Sequence, residues 1–232
     1  MKNEELLKQI QEQAIHLDWD IAFGGKSKGN MHLVRVNKLA EKLLENEEGD
    51  RFVTLASAWL HDSDLTVNKD HHLKSDRLVS EDFLEEIGLS RDIIIKITHC
   101  IRAHDGHIKA ETKEAHIVHD ADTLDKSGPL GVVRHTWKLA HTIPDIQLEK
   151  VLEIIPKHLR ERKSNLYTPS ARLIAFRNTQ ILEEFVRSED FDLIIADILK
   201  MAKDNFISDQ IATEICKKYS NNFTEKLKEQ IS

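Results

Sequence analysis

Along this chain apolar residues recur at intervals of three and four, the spacing of one helix face, and nowhere in sustained period-two alternation. Residues 3–18 place Leu6, Leu7, Ile10, Ala14 and Leu17 on one stripe. A second helix is expected over 30–46, with Asn30 as its N-cap and Val36, Leu39, Ala40 and Leu43 facing inward. Gly49-Asp50 breaks and recaps the chain before a helix over 51–62. That helix is crowded with Phe52, Val53, Leu55, Ala56, Ala58, Trp59 and Leu60, which places it at the centre of the core. Helices over 74–87 and 91–104 follow, the first closed by Gly88 as a C′ glycine and the second capped by Ser90. The pattern continues over 114–126 and 130–141, then from Asp145 into a stretch that Pro156 is expected to kink or split. Thr168-Pro169 reads as an N-cap followed by an N1 proline, and 190–203 and 206–230 supply the remaining helical stripes. The expectation is an all-α fold without internal repeats.

Composition acts mainly by exclusion. The 232 residues are 40% hydrophobic and 31% charged, the profile of an ordinary globular chain, long enough for one large domain with an appendage. We expect a main domain over 1–188 and a C-terminal helical extension over 189–232 packed on the same core. A net charge of −7 without a basic stripe argues against nucleic-acid binding, which rests on phosphate neutralisation. No apolar run approaches the ~20 residues of a membrane span, and the charged N-terminal segment has no signal-peptide core. Cys100 and Cys216 form no framework, so a reducing cytoplasm is the expected location. Thirteen histidines against two tyrosines point at chemistry.

The chemistry centres on His61-Asp62, where the apolar run 52–60 ends. Successive helical residues stand ~100° apart, so both side chains reach one ion lying just beyond the helix end. His32 shares a face with Arg35 on the preceding helix. Downstream, Asp122 and Asp125 share a face with Val118, whereas Asp120 is out of phase, so only one of Asp120 and Asp122 points into a given site. His104 lies on the core face of its helix and His99 does not. His32, His61, Asp62 and Asp122 thus make a set of nitrogen and oxygen donors from three helices, suited to a divalent metal with positions left for water. The tail Gly25-Lys26-Ser27 is not a P-loop, because Asp20 stands where its first glycine belongs and no strand leads in.

The order His…His-Asp…Asp resembles the HD-domain superfamily of metal-dependent phosphohydrolases, in particular a subgroup of bacterial single-domain hydrolases. The resemblance spans roughly 28–185 and is carried by His-Leu-Val-Arg-Val (32–36), Trp-Leu-His-Asp (59–62), His72-x-x-x-Asp76, Ile-x-x-x-Ile-Arg-Ala-His (97–104), Asp-Ala-Asp-Thr-Leu-Asp (120–125), Gly-x-x-Arg (131–134) and Thr-Pro-Ser-Ala-Arg-x-x-Ala-Phe-Arg (168–177). It implies an HD-type helical bundle over 1–188, with His32, His61, Asp62 and Asp122 as metal ligands. His72 and His104 match positions used for a second metal, and serve equally as contacts to substrate phosphate. The implied activity is hydrolysis of a small phosphate ester or anhydride, a nucleotide first of all, by a metal-bound hydroxide. The implied cofactor is one or two ions of Mn, Fe, Co, Ni or Mg. A homo-oligomer is left open.

Some members carry an acidic residue three positions after the His-Asp pair. Here that position is Leu65, which passes the role of catalytic base to Asp64, Asp125 or the bound hydroxide alone. Arg35, Lys69, Arg102 and Arg134 are candidates for phosphate contacts, because guanidinium groups bind phosphate oxygens in a bidentate way. His71, His99, His107, His116 and His119 are read as surface or packing residues. Two rival readings accompany the hydrolase: an HD-fold di-iron oxygenase, which needs both His72 and His104 as ligands, and a non-catalytic nucleotide sensor.

Overall fold

A computed structural model describes residues 2–25, 27–66, 78–143, 145–162 and 165–232. The protein is all α, with helices and turns and no strand among the described residues. The chain divides into two compact units, Met1–Asp122 with Leu166–Ser170, and Thr123–Asn165 with Ala171–Ser232.

The first unit contains α1 (Lys2–His16), α2 (His32–Leu44), α3 (Arg51–Leu60), α4 (Val79–Glu86), α5 (Arg91–Ala103) and α6 (Lys113–Asp125) up to Asp122. Its centre is α3, which packs against α1, α2 and α5. Every residue from Val53 to Leu60 is buried, so the crowding of apolar residues has the expected cause. Asp50 starts this helix as its N-cap, with Oδ1 accepting from the Phe52 and Val53 amides at 2.9 and 3.1 Å. Gly88, at φ +80°, closes α4 in the left-handed region, and the Leu89 amide returns to the Leu84 carbonyl at 3.1 Å.

α1 does not run through to residue 18. It ends at His16 and is followed by a π-helical turn, Leu17–Ile21, and a 3₁₀ turn, Ala22–Gly25. On α5 the inward residues are Ile94, Ile97, Cys100, Ile101 and Ala103.

The second unit contains α7 (Gly128–Thr142), α8 (Leu148–Arg162), α9 (Pro169–Val186) from Ala171 onward, α10 (Phe191–Lys203), α11 (Ser208–Lys218) and α12 (Asn222–Ile231). α7 is its hub, packed on α8, α10, α11 and α12. Val132, Ile155, Ile194, Ile195, Ile198, Ile211, Ile215 and Leu227 belong to one buried cluster here. Residues 191–231 therefore share a core with 130–159 and 182–185.

Pro156 does not split α8, which continues through it with Val151, Ile155 and Leu159 buried on one face. Packing of that face outweighs the hydrogen bond that proline removes. The expected single helix over 206–230 is instead α11 and α12. They meet at Asn221, whose side chain accepts from the Thr224 amide at 3.0 Å and restarts the helix.

Candidate metal centre

Two helix ends and one helix start converge in the first unit. The last carbonyls of a helix have no intrahelical partners. At the end of α3 the Ala58 carbonyl accepts from His61 Nδ1 at 2.9 Å, and at the end of α5 the Ile101 carbonyl accepts from His104 Nδ1 at 2.6 Å. A carbonyl only accepts, so each Nδ1 carries the proton and each Nε2 is turned outward from its own helix. The interplanar angle of the two rings is 67°, with centroids 5.0 Å apart.

His61 Nε2 lies 3.2 Å from His32 Nε2, 3.5 Å from Asp62 Oδ2 and 3.5 Å from Asp122 Oδ1. His32 Nε2 in turn lies 3.4 Å from Asp62 Oδ2 and 3.2 Å from Asp122 Oδ1. These atoms are close to fully buried, with Asp62 the most exposed side chain of the four at 11%. Electron-pair donors gathered this tightly away from water repel one another unless a cation or a shared proton lies among them. Their spacing also fits a cation. Donors ~2.1 Å from a common ion and tetrahedrally disposed stand ~3.4 Å apart. The set is imidazole and carboxylate without thiolate, which suits a range of divalent metals.

A second donor group overlaps the first. His104 Nε2 is 3.7 Å from Asp62 Oδ1, so His61, Asp62 and His104 also lie within reach of a common ion. His72 and Lys69 fall outside the described residues.

Arg35 is buried one turn along α2 from His32. Asp64 is partly exposed in the 3₁₀ turn Ser63–Thr66 that follows Asp62. Arg102 faces Glu81, with the guanidinium 3.9 Å from Oε1, which is its ion-pair reading. In the second unit Arg134 donates to the buried Asp125 carboxylate at 2.8 Å, so these two candidates are partners of each other.

Asp120 is neither solvated nor at the metal centre. Its carboxylate accepts from the Tyr167 amide at 2.9 Å and from the Thr168 amide and hydroxyl at 2.7 Å each. Burial holds this carboxyl above its usual range, and the three donors offset part of that rise. Thr168 thus precedes Pro169 at the start of α9 as expected, and its hydroxyl donates to Asp120.

His119, read from sequence as a packing or surface residue, is buried and hydrogen-bonded through Nδ1 to the His104 carbonyl at 2.8 Å. Tyr167 closes on it edge-to-face at 5.1 Å and stacks on His116 at 4.3 Å. The signal for His119 lay in its position three residues before Asp122, on a neighbouring face of α6.

The sequence matches no family model and no curated relative. Among solved structures, the chain is similar to Bacillus subtilis YpgQ, at 21% identity over 83% of this chain and 98% of that one, with a TM-score of 0.64. A Listeria innocua protein aligns at 25% identity over 83% and 98%, with a TM-score of 0.62. YpgQ in complex with ADP aligns at 19% identity over 83% and 97%, with a TM-score of 0.65. The likeness, spread over most of each chain at low identity, shows a shared all-α fold.

Proposed function

We propose that the protein is a metal-dependent phosphohydrolase of the HD type, acting on a small phosphate ester or anhydride, with nucleotides as the first substrate class to test. The observation that carries this reading is the 3.2 Å approach of His32 Nε2 to His61 Nε2, with each of the two lying 3.2–3.5 Å from a carboxylate oxygen of both Asp62 and Asp122. When bound there, a divalent cation supplies charge neutralisation at phosphate oxygens and brings the pKa of a coordinated water towards neutrality. The chain's own part is to keep the His61 and His104 imidazoles in the tautomer that offers Nε2, and to hold the donors largely out of water. The ADP in the YpgQ complex supports nucleotides as that first class.

The test is phosphate release from a panel of nucleotides and phosphoesters by protein stripped with EDTA and reloaded with Mn2+. Hydrolysis should depend on the metal, and Asp62→Ala should lower it by at least a hundredfold. Unchanged turnover in a folded Asp62→Ala protein would sink the site assignment. The overlapping group His61, Asp62 and His104 favours one second reading, a two-iron oxygenase. Oxygen uptake coupled to substrate loss without phosphate release, in iron-loaded protein, would replace the hydrolase reading by that one.

A further inference from the structure

Of the three donors that a helix carries or anchors, His32 has the least support from that helix. Asp122 lies within α6, and His61 is anchored by the Ala58 carbonyl. His32 is the first residue of α2, where backbone N–H groups lack intrahelical partners and helices fray. Its position is set from outside. The His32 amide donates to Asn30 Oδ1 at 3.0 Å. Asn30 is itself held twice through its backbone: its amide donates to the Ser27 carbonyl at 2.8 Å, and its carbonyl accepts from the Trp19 indole Nε1 at 2.8 Å.

Trp19 belongs to the π-helical turn Leu17–Ile21, and that turn is clipped to the same loop at two further points. Ser27 Oγ donates to the Asp18 carbonyl at 2.5 Å, and Lys28 pairs with Asp20 at 3.1 Å. Gly29, at φ +89°, makes the reversal that returns the chain to α2. Single π turns are commonly found at functional sites. The π turn and the 3₁₀ turn after it both pack against Ser63–Thr66, the stretch directly following His61-Asp62. One segment therefore touches the metal centre twice: at the backbone of one donor, and at the turn that follows two others.

We propose that Trp19 and Asn30 are positioning residues for His32, and that residues 17–25 and 27–30 set the spacing between His32 and the His61-Asp62 pair. This rests on the metal reading above. Neither residue touches the ion. Asn30 holds the helix start that carries the imidazole, and Trp19 holds Asn30.

The test is Mn2+ binding to the EDTA-stripped full chain, measured by calorimetry, beside the melting temperature of the metal-free protein. Wild type and Asn30→Asp should bind alike, because a carboxylate accepts the same amide. Asn30→Ala should bind about tenfold more weakly. Trp19→Phe, which keeps an aromatic ring and removes the indole N–H, should bind about threefold more weakly. A purely structural role would lower the melting temperature and leave the affinity in place. If Asn30→Ala and Trp19→Phe bind Mn2+ as wild type does while His32→Ala does not, positioning is overturned and the metal reading stands. If His32→Ala binds as wild type does, the metal reading fails and takes this proposal with it. Should Asn30→Ala not fold, Trp19→Phe against wild type decides the question alone.

Discussion

The two compact units bury different things. Cysteine thiols aside, among described buried residues the first unit holds nine ionisable side chains: Asp18, His32, Arg35, His61, Glu81, His104, His119, Asp120 and Asp122. The second holds one, Asp125, and Arg134 answers it at 2.8 Å. Its interior is otherwise the aliphatic cluster around Ile194, Ile195 and Ile198, with polar exceptions such as Asn178, whose Nδ2 donates to Ser127 Oγ at 2.9 Å. A buried ionisable group is costly unless it is paired, so a fold driven by stability alone would distribute very few. Their concentration beside α3, the most apolar helix of the first unit, is the arrangement that the proposed metal site calls for. The second unit marks what an interior arranged for cohesion looks like.

Paired substitutions test that contrast most severely. Asp122→Asn removes one negative charge from a crowded group at nearly constant shape. It should weaken Mn2+ binding by at least a hundredfold and leave the metal-free protein as stable as before, or more so, because repulsion among the donors is relieved. Ile195→Ala should do the opposite. Removing a fully buried branched side chain costs about 3–4 kcal/mol, about 10 °C in melting temperature for a chain of this size, with Mn2+ affinity unchanged. Thermal melts and calorimetry on both variants suffice. A metal-free Asp122→Asn protein as unstable as Ile195→Ala would mean that the polar interior of the first unit is structural.

Gly131 probes the cohesive side by sterics alone. A Cβ built there would lie 2.4 Å from the Lys126 carbonyl oxygen and 3.1 Å from a Leu159 methyl. Gly131→Ala must push α7 away from the preceding turn, so it should cost about 2–3 kcal/mol despite alanine's better helix propensity. Melting of Gly131→Ala with and without Mn2+ would show whether that cost stays clear of the metal centre. A stabilised variant would contradict the packing of α7.

How much of this was legible in the sequence depended on the range of the interaction. The helices were legible because their stripes are local, and the juxtaposition of His32, His61, Asp62 and Asp122 because each sits at a helix end or on a core-facing phase. Helical phase also kept Asp120 apart from Asp122. It could not show what Asp120 does, because its partners Tyr167 and Thr168 lie 47 and 48 residues away. The indole bond from Trp19 to the Asn30 carbonyl was hidden for a related reason, since a backbone acceptor leaves no mark in the residue types. Pro156 misled because local propensity was read without the buried face that overrides it. At Asn221 the signal was present: an asparagine three residues before Thr224 is a restart, and the long amphipathic stripe concealed it.

The two thiols extend the comparison at the smallest scale, one in each unit. Cys100 is fully buried on α5, and burial pushes its thiol from the ordinary 9.0 up to about 11. Cys216 on α11 is raised too, chiefly by burial, and its Sγ–H reaches the Thr224 carbonyl at 3.6 Å. The thiolate is the reactive form, so neither should be alkylated rapidly in native protein at pH 8, with Cys216 the faster. For Cys100 the folded pKa is raised, so the stability it protects is intact below pH 9. That stability is lost as pH climbs towards 11, by up to about 1.4 kcal/mol per pH unit, because the unfolded thiol ionises first. A ligand that binds one unit slows the opening of that unit. Mn2+ should therefore slow alkylation of Cys100 several-fold while leaving Cys216 at its own rate, read by mass spectrometry of the labelled peptides. Equal protection of both thiols would show that the units open together, and that their contrasting interiors belong to a single cooperative structure.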